Sequence, residues 1–527
     1  MTKLKKQSFL KGALILAIAN LVVKAIGALF KIPLTNLLGP DGIGIYNAGY
    51  TIYNVLFVVA TAGLPVAISK MVSENIAKNN YAEARHVFLV SRRLLVVVGL
   101  IGAAILFFGS GFFAKRINMT ASTMSIMALA PSMFFVSVMS AYRGLFQGMS
   151  NMVPTATSEV IESSCKLLMG LLLAYILMPS GKSFAAAGAI LGVSTGGLLA
   201  ALFLIGYYIK VRSELKEKAN ETEGKCKPTS VTLKRLLLLA IPITIGSAVF
   251  TLASVIDLTM ILNQLAALGF DEQTRTTMYG YYSGHAVTLF NMPLTVITSL
   301  SVSIMPTLSA ALAQKKKSLA KTTVETAIRI TLLFGLPCAV GMSVLSGPIL
   351  QFLFGDTAAS GMLSVLSFGI IFVSVVMVSN SILQAEGKAW VPVINMLIGG
   401  AVKVIVNFIL VGNININING APYGTVLCYI TTASLNLFMI YKSIRPNYGF
   451  AFLVKSVLSA ASMGILAYFS CAFIKPVAGN FAGLVVGIGV GVISYFVLLV
   501  ILRALKREDV EAMPGSSHIL KLIGRFL

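Results

Sequence analysis

The sequence predicts an all-α polytopic membrane protein of fourteen transmembrane helices: two six-helix lobes in pseudo-twofold repeat, plus two C-terminal helices. Three observations carry this. Of 527 residues, 57% are hydrophobic and 11% charged, against about 25% charged in a soluble domain; this excludes an ordinary soluble enzyme, a disordered chain and a fibrous one. Apolar runs of about 20 residues, the length that crosses a bilayer, follow one another along the whole chain. Two stretches also repeat at a nearly constant offset.

Taken in order, the runs place helices near Gly12 to Leu34, Ile43 to Ser69, Val87 to Phe113, Met124 to Phe146, Val153 to Met178 and Phe184 to Ile209. The polar stretch KVRSELKEKANETEGKCKPTSVTLKR follows. The second half has helices near Leu236 to Leu262, Tyr279 to Met305, Ala327 to Leu345, Met362 to Leu383, Val391 to Val411 and Gly424 to Tyr441, then Val457 to Ile474 and Phe481 to Ile501. The opening MTKLKKQSFLKGALILAIAN has the basic-then-apolar order of a signal peptide. Its apolar run passes Lys24 and continues to Leu38 without a small-residue cleavage pattern, so it reads as the first span. GNININING, residues 412 to 420, alternates like a strand, but its length and its place between two helices favour a loop. Pro65, Pro131, Pro242, Pro293 and Pro337 lie within these spans and are expected to permit kinks. The expected domains are 1–210 (N-lobe), 211–235 (cytoplasmic linker), 236–445 (C-lobe) and 446–527 (two helices and a basic tail).

The excess of 41 Lys+Arg over 18 Asp+Glu would raise nucleic acid as a partner in a soluble domain. Beside membrane helices it is an orientation signal instead. With the N-terminus inside, 32 basic residues fall in inner segments and 5 in outer ones. That bias supports an even span count and cytoplasmic termini in a bacterial plasma membrane. The five cysteines are scattered singly, without metal-like or paired spacing, and read as packing residues.

The repeat is the most informative feature. LFQGMSNMVPTATSEVIESSCK (145 to 166) parallels ILQAEGKAWVPVINMLIGGAVK (382 to 403). Gln147 to Lys166 and Gln384 to Lys403 are both 19 apart, with Val153-Pro154 and Val391-Pro392 between them, at an offset of 237. At offset 236, Gly44-Ile45-Tyr46 and Leu64 to Ile68 match Gly280-Tyr281-Tyr282 and Leu300 to Ile304. A duplicated six-helix unit with both halves in one orientation is a known transporter plan, with the substrate path between halves and access alternating.

Charges inside spans are costly, about 2.5 to 3.5 kcal/mol for a central Lys on insertion scales, and normally face protein or water. Lys24 lies mid-helix, too far from either end to snorkel easily, and reads as a cavity cation or as the structural partner of a polar group. Lys31 either joins it or snorkels outward. Lys166 has Glu162 one turn before it, which permits an i,i+4 pair; its repeat mate Lys403 has no acidic neighbour on its own helix. The second helix carries Tyr46, Asn47, Tyr50, Tyr53 and Asn54, a polar and aromatic face suited to sugar or headgroup contacts, which interfacial anchoring explains in part. Asp257 is a candidate counter-ion, cation site or proton site, or a capped residue. His285 and Glu162 complete the candidates for ion coupling.

Catalytic patterns are poor. The Gly-Lys-Ser at Gly181 lacks the earlier glycine of a P-loop, and no H-E-x-x-H or G-x-S-x-G occurs. The expectation is a transporter with no ATPase motif, catalytic residue, cofactor or metal site, driven by membrane potential or by Na+ or H+ coupling.

The segments LFKIPLTNLLGPDGIGIYNAGYTIY, GLPVAISKMVSE, YRGLFQGMSNMVPTATSEVIE, YGYYSGHAVTLFNMPLTVITSLSVSIMPTLS and ILQAEGKAWVPVINMLIG resemble the multidrug/oligosaccharidyl-lipid/polysaccharide exporter superfamily. The nearest branch is that of the stage V sporulation protein B and MurJ-like flippases. The resemblance implies an alternating-access flippase for undecaprenyl-diphosphate-linked sugars, foremost lipid II, working as a monomer in the bilayer. It implies further that Lys24, and Lys31 with a one-residue shift, face the lipid-linked pyrophosphate, and that the last two helices hold the lipid tail. The arginines that such proteins carry on helices two and eight are absent here; the corresponding part of helix eight reads SGHAVT, with His285. The alternatives are a flippase for another polysaccharide precursor, or a multidrug or cation antiporter of the same superfamily.

Overall fold

The computed structural model describes residues 9–220, 226–314, 316–447 and 449–504. Among these the chain is helical, without a strand, and GNININING is a turn followed by one 3-10 turn. It divides into two compact units, Met1–Gly280 and Tyr281–Leu527. The first holds α1 (Phe9–Thr61), α2 (Gly63–Ala77), α3 (Tyr81–Arg116), α4 (Thr123–Ala128), α5 (Ala130–Gly148), α6 (Val153–Leu177), α7 (Lys182–Asn220), α8 (Thr229–Ala267) and α9 (Glu272–Gly280). The second opens on a π-helical turn, Tyr281–Ala286. It continues through α10 (Val287–Ala313), α11 (Lys317–Val344), α12 (Ser346–Phe354), α13 (Ser360–Ala385), α14 (Trp390–Val411), α15 (Ala421–Ile444) and α16 (Phe450–Ile501).

Two of these helices are hairpins. In α1, Gly39 has φ 69° and ψ 178°, a backbone that a β-carbon resists, and Pro40 follows it. Lys31 hydrogen-bonds Asn47, 16 residues on, whereas a straight helix would hold them about 24 Å apart; the two halves therefore fold back on each other. In α16, Gly479 has φ 85° and ψ 170°, and Gly487 packs on Cys471 across the fold. Ten segments among the described residues are long and apolar enough to cross a bilayer. Two of them contain these hairpins, and α8 and α10 are further long helices, which is consistent with fourteen crossings.

Pro242 and Pro337 lie inside α8 and α11 as expected. Pro65 and Pro131 stand in the first turns of α2 and α5, just after single-residue interruptions at Ala62 and Leu129 that keep right-handed helical dihedrals, which is where a proline's missing N–H loosens the helical ladder.

Large apolar side chains such as Phe108, Leu168, Phe408 and Phe473 are exposed on α3, α6, α14 and α16, as lipid contact requires. Between helices small residues rule instead. Gly188, Gly192 and Gly196 of α7 press against the backbone of α6 at Leu173, Gly170 and Glu162. In the second unit Gly424 of α15 packs on Lys403 of α14, and Gly399 of α14 packs on Cys428 of α15. The repeat is therefore visible in the elements. Gln147 and Gln384 end α5 and α13, Pro154 and Pro392 stand in the first turns of α6 and α14, and Lys166 and Lys403 follow on those helices. Buried asparagines bind the second unit further: Asn395 donates to Asn436 at 2.8 Å, and Asn436 donates to Ser379 at 2.9 Å and Asn380 at 2.8 Å.

Candidate functional site

The site grows from the α1 hairpin and α6. On the first half of α1, Val23, Ile26, Gly27 and Phe30 share one face at i, i+3, i+4 and i+7, and with Tyr50, Glu159, Glu162, Ser163, Lys166 and Val193 they line a cavity of about 250 Å³. The second half of α1 supplies an aromatic ladder. Tyr46 stacks on Tyr50 at 5.8 Å, Tyr50 meets Tyr53 at 5.7 Å, and Tyr53 meets Phe57 at 5.6 Å. The Tyr53 hydroxyl lies 3.1 Å from Ser132 Oγ, which ties the ladder to α5.

Two lysines are set against this ladder. Lys31 donates to Asn47 Oδ1 and lies 4.8 Å from the Tyr46 ring centre. Lys166 lies 5.1 Å from the ring of Phe30 and 4.9 Å from that of Tyr50. A cation over an aromatic face is attracted by the ring's quadrupole, so both lysines are held by the ladder, and Lys166 also lines the cavity.

Glu162, one turn before Lys166, makes its ion pair elsewhere. Arg143 of α5 reaches Glu162 Oε2 at 2.9 Å and Ser158 Oγ at 3.0 Å. In the sequence Arg143 looks like one more loop charge; its role follows only from the short α5–α6 connection, which lays the end of α5 beside Glu162. One carboxylate oxygen of Glu159 is buried on the same wall without a hydrogen-bond partner among the described residues.

The other sequence candidates do not line this cavity. Lys24 is exposed on α1 and does not line the cavity. Asn54 is half-buried one turn beyond Tyr50, and Asp257 is half-buried on α8. In the second unit His285 is 3% exposed within the π turn, its ring 4.4 Å from Phe354 and 5.3 Å from Tyr281. Lys403, also in the second unit, is half-buried on α14.

Comparison with known proteins agrees with this architecture. Residues 9–312 match the family model described as polysaccharide biosynthesis protein, and residues 282–409 match a second described as MatE. The chain is 27% identical over 528 residues to stage V sporulation protein B of Bacillus subtilis (strain 168), covering 99% of both chains. It is 24% identical over 485 residues to lipid II flippase MurJ of the same organism, covering 86% of this chain and 87% of that protein. The solved structure of lipid II flippase MurJ in an inward closed conformation shares the fold, with a TM-score of 0.70 at 16% identity over 93% of this chain and 98% of that one. Two duplicated bundles, a closing helical hairpin and a match across more than half the chain lead to one assignment: the chain belongs to the polysaccharide biosynthesis protein family, in the stage V sporulation protein B and MurJ-like branch of the multidrug/oligosaccharidyl-lipid/polysaccharide exporter superfamily.

Proposed function

We propose that this protein flips undecaprenyl-diphosphate-linked sugars, foremost lipid II, across the bacterial plasma membrane by alternating access, with both termini cytoplasmic. The observation that carries the reading is the pair Lys31 and Lys166, held against tyrosine and phenylalanine rings beside a cavity in the first bundle. A pyrophosphate entering a low-dielectric cavity needs compensating positive charge, and a lysine inside a span needs either water or an anion. One residue meets both needs. Glu162 is engaged by Arg143, and Lys166 reaches the cavity from the same helix. Lys24, exposed on the same helix, belongs to the same reading as a cation met before the cavity.

The test is rescue of a strain depleted of its lipid II flippase, paired with a flipping assay on the purified protein. Lys166→Ala and Lys31→Ala should each lower flipping by about ten- to a hundredfold, the range for losing a charge-assisted hydrogen bond, with membrane insertion intact. Lys24→Ala should lower it as well, and arginine at any of the three should restore part. Full turnover by Lys166→Ala together with Lys31→Ala would end the reading. The acidic pair Glu159 and Glu162 on the cavity wall favours a second one, cation or multidrug antiport. Efflux of a cationic dye that depends on Glu159, without lipid transfer, would establish it.

A further inference from the structure

The repeat separates the polar residues that the fold requires from those it does not. At offset 237, Arg143, Ser158, Glu159, Glu162 and Lys166 fall on Asn380, Asn395, Met396, Gly399 and Lys403. Each unit carries a polar tie at this corner. In the first, Arg143 donates to Ser158 Oγ at 3.0 Å and to Glu162 Oε2 at 2.9 Å. In the second, Asn436 donates to Asn380 and accepts from Asn395, both at 2.8 Å. Neutral amides therefore hold the corner in one unit where charges hold it in the other.

Glu159 belongs to neither tie. Its repeat mate Met396 is buried, with the Thr432 hydroxyl 3.8 Å from its sulfur, so the fold accepts an apolar side chain at this position. Glu159 instead lines the cavity that Lys166 lines, and one of its carboxylate oxygens is buried without a hydrogen-bond partner among the described residues. The charged and titratable groups facing it are Arg143 from α5, Glu162 and Lys166 from α6, and Tyr50 from α1; α7 presents Val193. Arg143 is already paired with Glu162. A buried carboxylate oxygen left unpaired is costly, and the repeat gives no structural reason for this one.

In a cavity of about 250 Å³, an anion beside Lys166 would meet a charged Glu159 at close range, and like charges in low dielectric repel strongly. A proton turns that repulsion into attraction. An ionised carboxylate only accepts hydrogen bonds, whereas a carboxylic acid donates one through its O–H, and such a bond to an anionic oxygen is short and strong. We propose that binding of the lipid-linked diphosphate beside Lys166 places one proton from water on Glu159, which then donates a hydrogen bond to the anion. The inference rests on the flippase reading and adds to it a proton taken up with the substrate.

The probe is lipid II, whose two phosphates each carry a single acidic oxygen that stays ionised across the neutral range. Calorimetric titration of the full-length protein, in two buffers of different ionisation heat, counts the protons. Wild type should take up about one proton per lipid bound, and its Kd should rise by up to about tenfold per pH unit where the empty site is ionised, as one-proton linkage requires. Glu159→Gln should bind without proton uptake and with a Kd that stays level with pH. If that variant fails to accumulate, Glu159→Met, which carries the side chain found at the repeat position, should show the same loss of uptake. In wild type, lipid II should also raise a protonated-carboxyl band in the infrared difference spectrum, and the band should be missing in either variant. Binding to wild type without proton uptake, or uptake that persists in the variants, overturns this inference and leaves the flippase reading standing. Wild type that binds no lipid II sinks the flippase reading, and this inference with it.

Discussion

At the scale of single residues, the first unit shows how a charge is kept or spent inside a membrane. Two kinds of partner lie within reach of Lys166, a carboxylate one turn back on its own helix and the rings of α1; Arg143 pairs with the carboxylate, and the lysine sits against Phe30 and Tyr50. The sequence made Lys31, Tyr46, Asn47, Tyr50 and Lys166 visible because lysines and tyrosines inside apolar runs are costly and stand out. It hid Arg143, because a basic residue near a span end is common and its partner lies on another helix. A second residue-scale expectation concerns Cys226, exposed at the start of the segment leading into α8. Partial burial pushes its thiol above the ordinary value, and the Glu83 carboxylate adds to this while Arg85 opposes it. The reactive thiolate is therefore scarcer at neutral pH than for a free cysteine. With the other four cysteines replaced, an impermeant maleimide should label Cys226 only in inside-out vesicles. The rate should be slow near pH 7, climb as pH rises, and increase at neutral pH in Glu83→Gln. Labelling from outside intact cells would reverse the proposed topology.

At the scale of elements, the apolar runs showed where two of the longest helices turn: the gap between Leu34 and Ile43 holds Gly39, and that between Ile474 and Phe481 holds Gly479, each in the left-handed region. The prolines were legible too: Pro65 and Pro131 follow interruptions at Ala62 and Leu129 that keep helical dihedrals. Close packing of α6 on α7 depends on glycines of both helices, Gly170 facing Gly192 and Gly196 against the Glu162 carbonyl. Gly192→Leu is expected to force the two backbones apart at a cost of at least about 1–3 kcal/mol. That should appear as a lower melting temperature in detergent, together with weaker flipping, because Lys166 and Glu162 ride on α6. Gly206, which has open space around it on the same helix, is the control: Gly206→Ala should leave melting unchanged or slightly raised. Equal effects at both positions would show that the interface is looser than its geometry.

At the scale of the whole molecule, the duplication was legible because gene repetition leaves matching side chains at a fixed offset, as in Lys166 with Lys403. What the repeat could not foretell is that α8 and α9 leave the half to which they belong by descent and pack with the other. At that packing Gly63 meets the Ala240 carbonyl, and Gly44 meets the Thr276 carbonyl and Gly280; the repeat paired Gly44 with Gly280 but could not show that they touch. A chain ending at residue 280 should therefore melt higher and resist protease longer than one ending at residue 225, which lacks α8 and α9; equal behaviour would show that they add nothing to the first bundle. The swap bears on birth as much as on transport. As the polypeptide emerges, its first six spans enter the bilayer before their closing helix has been translated, leaving the faces of α1 and α2 bare until α8 arrives. During that interval the first bundle lacks the helix that α1 and α2 pack against in the finished fold.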